Sequence, residues 1–233
     1  MKKKLIPLFI ILFLVFAALG VLAGTGIFPV EQPDTPADVV TDQSAIQRNY
    51  LVVQTNSISP DSGELISAWI MFIQPSSISH IKILPLYPLE NEKLHKQLTR
   101  RFSITHSGQL DPQYLHLVER KFALDIDGYI LVDNTAAQYF AKTIAQQELT
   151  TLSSSPVSPE GVFSVLNTGN SVFQAFCDRL AGDGLKPISN SIDWSELLPS
   201  HFSTNLSFEE LYLVIAQLET QGAIQDCSII VAQ

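Results

Sequence analysis

The sequence predicts an α/β fold: a central mixed β-sheet with helices on both faces, preceded by one N-terminal transmembrane helix. Three observations carry this. An uncharged apolar run fills Leu5 to Ala23 directly behind Met1-Lys2-Lys3-Lys4. Two apolar strands, Leu65 to Gln74 and His80 to Pro85, are separated by a short turn containing Pro75. Further on, the apolar stretch Gly128 to Val132 stands between two helices that each have one apolar face, the arrangement of a sheet covered on both sides.

The N-terminal run holds nineteen residues. At about 1.5 Å each they make a helix of roughly 28 Å, close to the thickness of a bilayer's hydrocarbon core. The three lysines ahead of it keep residues 1–4 as a cytoplasmic head and send the rest across, so the expected location is the cell membrane, single-pass, with the bulk extracytoplasmic. Ala17-Ala18 and Leu22-Ala23-Gly24 would permit cleavage of a secretory signal. The apolar run is longer than the roughly 7–15 residues of a signal core, which argues for retention of residues 5–23 as an anchor. Residues 24–48, with Pro29, Pro33 and Pro36 and no regular period, read as an extended linker. Residues 49–233 remain as one domain, large enough to bury a core.

Without the three leading lysines the chain carries 11 Lys+Arg against 23 Asp+Glu, a net −12. That balance argues against nucleic acid and against tight adhesion to anionic headgroups. The two cysteines, Cys177 and Cys227, could pair in an oxidising compartment or be two small buried apolar residues; sequence leaves both open.

Within the domain, Tyr50 to Gln54 reads as a buried strand. A turn-rich loop from Asn56 to Gly63 follows, with Pro60-Asp61-Ser62-Gly63 at its tip. The next two strands make a hairpin about Pro75-Ser76-Ser77. Asp111-Pro112 is a cap followed by proline at the first helical position, and Leu115, Val118 and Phe122 form the apolar stripe behind it. After the strand Gly128–Val132, Asp133-Asn134 opens a helix with Ala137, Phe140, Ala141 and Ile144 on one face. Gly182-Asp183-Gly184 ends another helix. Ser207 and Glu210 form a capping box, Leu206 and Leu211 its hydrophobic staple, and Leu211, Val214, Ile215 and Leu218 the inward stripe of a helix ending at Gly222. Cys227 to Ala232 reads as a terminal strand.

Site chemistry is sparse. His80, His95, His106, His116 and His201 contain no pair at metal-ligand spacing, so no metal site is expected. There is no glycine-rich phosphate loop and no nucleophile elbow. Lys93, Lys96, Arg100 and Arg101 gather four cations in nine residues, with His95 among them. They suit a phosphate, or they are a solvated helix face beside Glu90 and Glu92. Asp125, Asp127 and Asp133 read as turn and cap residues rather than as acid–base groups. The sequon Asn205-Leu206-Ser207 coincides with the cap at Ser207.

Three strings, in order, resemble the LytR–CpsA–Psr family of cell-envelope proteins over about Tyr50 to the C-terminus. "LISAWIMFIQPSSISHIKIL" (65–84) is similar to its hairpin, "VERKFALDIDGYILVDNTAAQYFAKTI" (118–144) to its helix–strand–helix, and "LLPSHFSTNLSFEELYLVIAQL" (197–218) to its closing helix start. The resemblance implies a membrane-anchored extracytoplasmic domain. It also implies transfer of glycopolymers from a polyprenyl-pyrophosphate carrier to the cell wall with Mg²⁺, arginines holding the diphosphate and an aspartate helping to hold the metal.

This chain departs from that pattern where the chemistry sits. Pro85-Leu86-Tyr87 stands where the family has Pro-Arg-Asp. The family's strand-start aspartate falls near Ile66, and the neighbouring arginine near Glu64. In "FQAFCDRLAGD" only Arg179 survives from an arginine-rich helix. A diphosphate leaving group needs cations to offset its developing charge, and Leu86 supplies none while Glu64 repels it. The expectation is a degenerate pyrophosphate site in a binding or assembly module for cell-wall glycopolymer attachment, without catalytic residues and without a cofactor. The expected partners are the membrane, a polyprenyl-linked glycopolymer or other envelope proteins, and not nucleic acid. The alternative is an active glycopolymer phosphotransferase using Mg²⁺, with Arg100, Arg101 and Arg179 as its phosphate contacts.

Overall fold

The computed structural model describes residues 47–74, 80–146, 148–149, 156, 158–207, 209–214 and 226–230. The expected transmembrane helix, nearly all of the linker, the Pro75-Ser76-Ser77 turn and the helix end from Ile215 to Gly222 lie outside the described residues. Among those described, no helix is long and apolar enough to cross a membrane.

Among the described residues, six strands form one mixed sheet. They are β1 (Arg48–Thr55), β2 (Leu65–Gln74), β3 (His80–Tyr87), β4 (Gly128–Val132), β5 (Phe202–Thr204) and β6 (Asp226–Ile229), in the order β5-β4-β1-β2-β3-β6. The hairpin β2–β3 is antiparallel, as are β1–β2 and β4–β5. β1–β4 and β3–β6 are parallel. β1 is flanked by β4 and β2, and its apolar residues serve both faces. Leu51 and Val53 enter one core, while Tyr50 and Val52 enter another. A strand covered twice carries no polar alternation, which is why Tyr50–Val53 reads as a continuous apolar run.

The first face is covered by α1 (Glu92–Arg101) and α2 (Pro112–Phe122). Leu98 of α1 and Tyr114, Leu117 and Val118 of α2 pack there with Leu51, Val53, Ile70 and Leu131. The expected α2 stripe is rotated: Tyr114 and Leu117 take the deepest positions beside Val118, and Leu115 and Phe122 pack at the margin. Both helices are capped by a side chain, and the Asp111 cap is the one the sequence implies. Asp111 Oδ1 accepts from Gln113 N at 2.8 Å ahead of Pro112, and Asn91 Oδ1 accepts from Leu94 N at 3.1 Å.

The second face carries α3 (Asn134–Phe140), which continues as a π-helical turn over Ala141–Ala145, then α4 (Pro159–Asp183), α5 (Leu185–Asn190) and α6 (Trp194–Leu197). α4 is 25 residues long. It crosses the sheet at Trp69, whose ring stands 5.0 Å from that of Phe173. Contact there requires a glycine: a Cβ on Gly169 would stand 2.2 Å from Trp69 Cζ2. Gly184, at φ +78°, ends α4 and donates its N–H to Leu180 O. Cys177 of α4 is disulfide-bonded to Cys227 of β6. Near the C-terminus the capping box forms as expected. Ser207 N donates to Glu210 Oε2 at 2.7 Å, and Glu210 N donates to Ser207 Oγ at 3.2 Å.

Candidate functional site

In an open sheet with parallel strands, ligands are received beyond the strands' carboxyl ends. Here that edge is defined by register. Gln54 near the end of β1 faces Ser67 on β2 and Val132 on β4, Val132 faces Phe202 on β5, and Tyr87 at the end of β3 faces Ala68. The positions aligned above with the family's diphosphate machinery therefore share one end of the sheet.

Three of those four positions are core, and the fourth, Glu64, is exposed. Ile66 and Leu86 are each 1% exposed and Tyr87 is 0% exposed. Leu86 and Tyr87 pack with Leu98, Tyr114 and Val118. The Tyr87 hydroxyl turns into α1, 3.2 Å from His95 Nε2, and accepts from Thr99 Oγ1 at 3.1 Å. The two rings lie 4.7 Å apart. Burial lowers the His95 pKa below its ordinary value, favouring the neutral ring. Burial also raises the pKa of the wholly enclosed Tyr114 phenol.

A polar row continues the same edge toward β5. Ser67 Oγ donates to Gln54 Oε1 at 3.3 Å, and Gln54 Nε2 donates to Asn134 Oδ1 at 3.1 Å. Next to Asn134, the buried Asp133 accepts from Ala136 N at 3.0 Å with one oxygen, and its other oxygen lies 2.7 Å from His201 Nδ1. Asp133 N also donates to His201 O at 3.2 Å. Asp133 thus caps α3 and ties the approach of β5 to the end of β4. Sequence reasoning found the cap but not the histidine, which lies 68 positions away with no local spacing to signal it. The effect on stability is measurable. Asp133→Ala removes both acceptors and is expected to cost about 2 kcal/mol. Asp133→Asn keeps an oxygen for the cap and is expected to cost about half as much. Equal urea midpoints for wild type and Asp133→Ala would refute the double role.

The expected phosphate contacts are not brought together. Arg100 and Arg101 are exposed at the end of α1, over the Leu51–Val53 face. Arg179 lies on α4, over the opposite face. Its Nη1 donates to Thr143 O at 2.7 Å and to Ile144 O at 3.4 Å, and its Nε lies 3.4 Å from Asp183. It thereby satisfies carbonyls of the π-helical turn. Among the described residues no group of His, Cys, Asp and Glu could hold a metal ion. At the other end of the sheet, Lys82 Nζ donates to both oxygens of Asp226 and to Ser228 Oγ, and His80 Nδ1 lies 3.2 Å from Asp226. Lys82 first, then His80, hold the Asp226 carboxyl below its usual pKa. This cluster joins β3 to β6.

The fold is a six-stranded mixed α/β sheet covered on both faces. No family model matches the chain, and no curated protein matches it. Among solved structures it is similar to Bacillus subtilis TagV (13% identity, 80% of this chain and 84% of that one, TM-score 0.49). It is also similar to protein gbs0355 of Streptococcus agalactiae (10% identity, 79% and 76%, TM-score 0.49). A third is TagT bound to LIIa-WTA (11% identity, 86% and 84%, TM-score 0.44). The chemistry open to this chain has to be read from its own residues.

Proposed function

We propose that this chain is a membrane-anchored, extracytoplasmic cell-envelope protein of LytR–CpsA–Psr type. It acts as a binding or assembly module in the attachment of cell-wall glycopolymers and not as the transferase. The observation that carries this reading is the closure of the strand-end positions: Ile66, Leu86 and Tyr87 are each at most 1% exposed, and none is a cation or a carboxylate. Phosphoryl transfer depends on cations that offset the charge developing on the diphosphate as its P–O–P bond breaks and polyprenyl phosphate leaves. Here those positions have become packing.

The three strings resembling the family support the same reading, because each falls on a part of the one sheet: the β2–β3 hairpin, α2–β4–α3, and β5 with the capping box behind it. The active-transferase alternative would need Arg100, Arg101 and Arg179 to converge, and they lie over opposite faces. The test uses the full chain in neutral detergent with a polyprenyl-diphosphate-linked glycan, Mg²⁺ and peptidoglycan fragments whose hydroxyls can accept the glycan phosphate, following release of the polyprenyl phosphate. No turnover above the protein-free control is expected, together with saturable retention of the lipid-linked glycan. Mg²⁺-dependent turnover would overturn the module reading.

A further inference from the structure

We infer that Cys227 on β6 is the entry thiol through which a protein disulfide donor closes the Cys177–Cys227 bridge, and that Cys177 is the resolving thiol. This assignment stands on where the two sulfurs sit and is independent of the state of the strand-end site.

The bridge joins two elements of unequal accessibility. Cys177 belongs to the inward stripe of α4, with Gly169, Phe173 and Leu180 at helical spacing along it. It is 2% exposed and packs with Trp69, Ile81, Ile83, Leu180 and Ile188 between α4 and the sheet. Two contacts hold α4 there without β6: Gly169 lies against Trp69, and Arg179 donates to carbonyls of the π-helical turn. Cys227 stands opposite Ile81 in the parallel ladder of β3 and β6. β6 is an end strand of the sheet, four residues long, and all four are only partly buried. Its outer edge pairs with no strand among the described residues. Side chains alternate across it. Asp226 and Ser228 bond to Lys82 on one face, and Cys227 and Ile229 join the α4 core on the other. The sulfur of Cys227 therefore becomes reachable whenever this short strand leaves β3, while that of Cys177 stays under its helix.

Forming the bridge removes two electrons from the thiol pair, and the acceptor is the disulfide of a second protein, of the Cys-x-x-Cys type. The Cys227 thiolate attacks one sulfur of that disulfide. The donor's S–S bond breaks, its other sulfur leaves as a thiolate, and a mixed disulfide joins Cys227 to the donor. The Cys177 thiolate then attacks Cys227 Sγ. The mixed bond breaks as the Cys177–Cys227 bond forms, and the donor leaves as a dithiol that has taken both electrons. The two protons given up by Cys177 and Cys227 end on the donor's sulfurs. Sterics close the opposite order. A donor bonded to Cys177 would have to occupy the layer between α4 and the β2–β3 hairpin, which Trp69, Ile81 and Ile83 fill. With Cα atoms 5.2 Å apart in the bridged state, the second attack needs only that β6 settle on β3. Closure thus follows the packing of α4 on the sheet and fixes β6 last.

The experiment uses the full chain in neutral detergent, reduced and freed of reductant. An oxidised Cys-x-x-Cys oxidoreductase and oxidised glutathione serve as separate probes at equal concentration, with acid quenching and peptide mass spectrometry to locate the adduct. Cys177→Ser is expected to trap the protein donor on Cys227. Cys227→Ser is expected to react at least about tenfold more slowly in native buffer, the two rates converging in concentrated urea. Because losing a bridge cysteine can loosen the fold, partial alkylation of the reduced wild type repeats the comparison on the unaltered chain. Cys227 is expected to be labelled about tenfold faster than Cys177. The protein donor is expected to close the wild-type bridge at least about tenfold faster than glutathione, since its lower-pKa thiol leaves more readily. Equal labelling of the two cysteines in the reduced wild type overturns the assignment, as does a donor adduct on wild-type Cys177 in native buffer. Closure by oxidised glutathione as fast as by the protein donor overturns the choice of a protein as the oxidant. None of these results depends on whether the glycan assay shows turnover.

Discussion

Leu86→Arg unfolds the protein instead of rebuilding a phosphate site. Leu86 is 1% exposed and packs in the core that joins β1, β2 and β3 to α1 and α2. A guanidinium at that position leaves water for a core of apolar and aromatic side chains, Leu65, Ala68, Leu98 and Tyr114 among them, none of which is a carboxylate. An unpaired buried charge costs several kcal/mol, on the order of 3–5 when a buried pair is broken, against a total stability of about 5–15. The urea midpoint of Leu86→Arg is therefore expected to collapse. Leu86→Met, which keeps volume and polarity, is expected to cost less than about 1.5 kcal/mol. If Leu86→Arg instead folds with an unchanged midpoint and gains Mg²⁺-dependent turnover, the strand end is an open phosphate site and the proposed function is wrong.

That result would bear on what the sequence could and could not disclose. Where local chemistry determines structure, the reading was close to residue-for-residue. Leu65–Gln74 and Gly128–Val132 are strands with the expected bounds, Asp111-Pro112 starts α2, and Ser207 with Glu210 closes a capping box. Three kinds of information were missing. The first is the face of the sheet on which a helix lands. Nothing local to Arg100 and Arg179 says that α1 and α4 cover opposite sides, so two cations fit for one phosphate stand on either side of the sheet. The second is packing that overrides propensity. The N-terminal half of α4 carries Gly161, Asn167, Gly169 and Asn170, poor helix formers, yet it is helical where Gly169 lets its backbone lie against Trp69. The third is length. β5 has three residues, too few for any period, and is a strand because Val132 and Ile130 offer partners for Phe202 and Thr204. The rotation of the α2 stripe has a related cause. Tyr114, Leu115, Leu117, Val118 and Phe122 are all apolar or aromatic, so two overlapping stripes satisfy a 3.6-residue period and only the shape of the facing sheet chooses between them.

The same dependence on distant partners makes the disulfide the second large effect. Cys177 and Cys227 close a span of 50 positions, with Cα atoms 5.2 Å apart. Chain entropy for a loop of that size corresponds to about 4 kcal/mol, within the usual range of roughly 2–5 for removal of a native bridge. The tie matters more here than loop length alone suggests. β6 is a four-residue edge strand, paired to β3 alone and in parallel. Apart from that ladder and the disulfide, its described polar hold is the Lys82–His80–Asp226–Ser228 cluster, which is partly open to solvent and of modest worth. Cys177→Ser, or reduction, is therefore expected to lower the urea midpoint substantially. It should first release β6, so that the Ile230 amide, bonded to Ile83 O at 2.7 Å, exchanges faster than those of the central β1–β2 ladder. A reduced protein with both thiols labelled, an unchanged midpoint and a still-protected Ile230 amide would show that β6 is held by its ladder and that the bridge contributes little. If reduction frees β6 while β1–β4 stay protected, the bridge is what keeps the last strand on the sheet, and a chain of this kind needs an oxidising compartment to complete its fold.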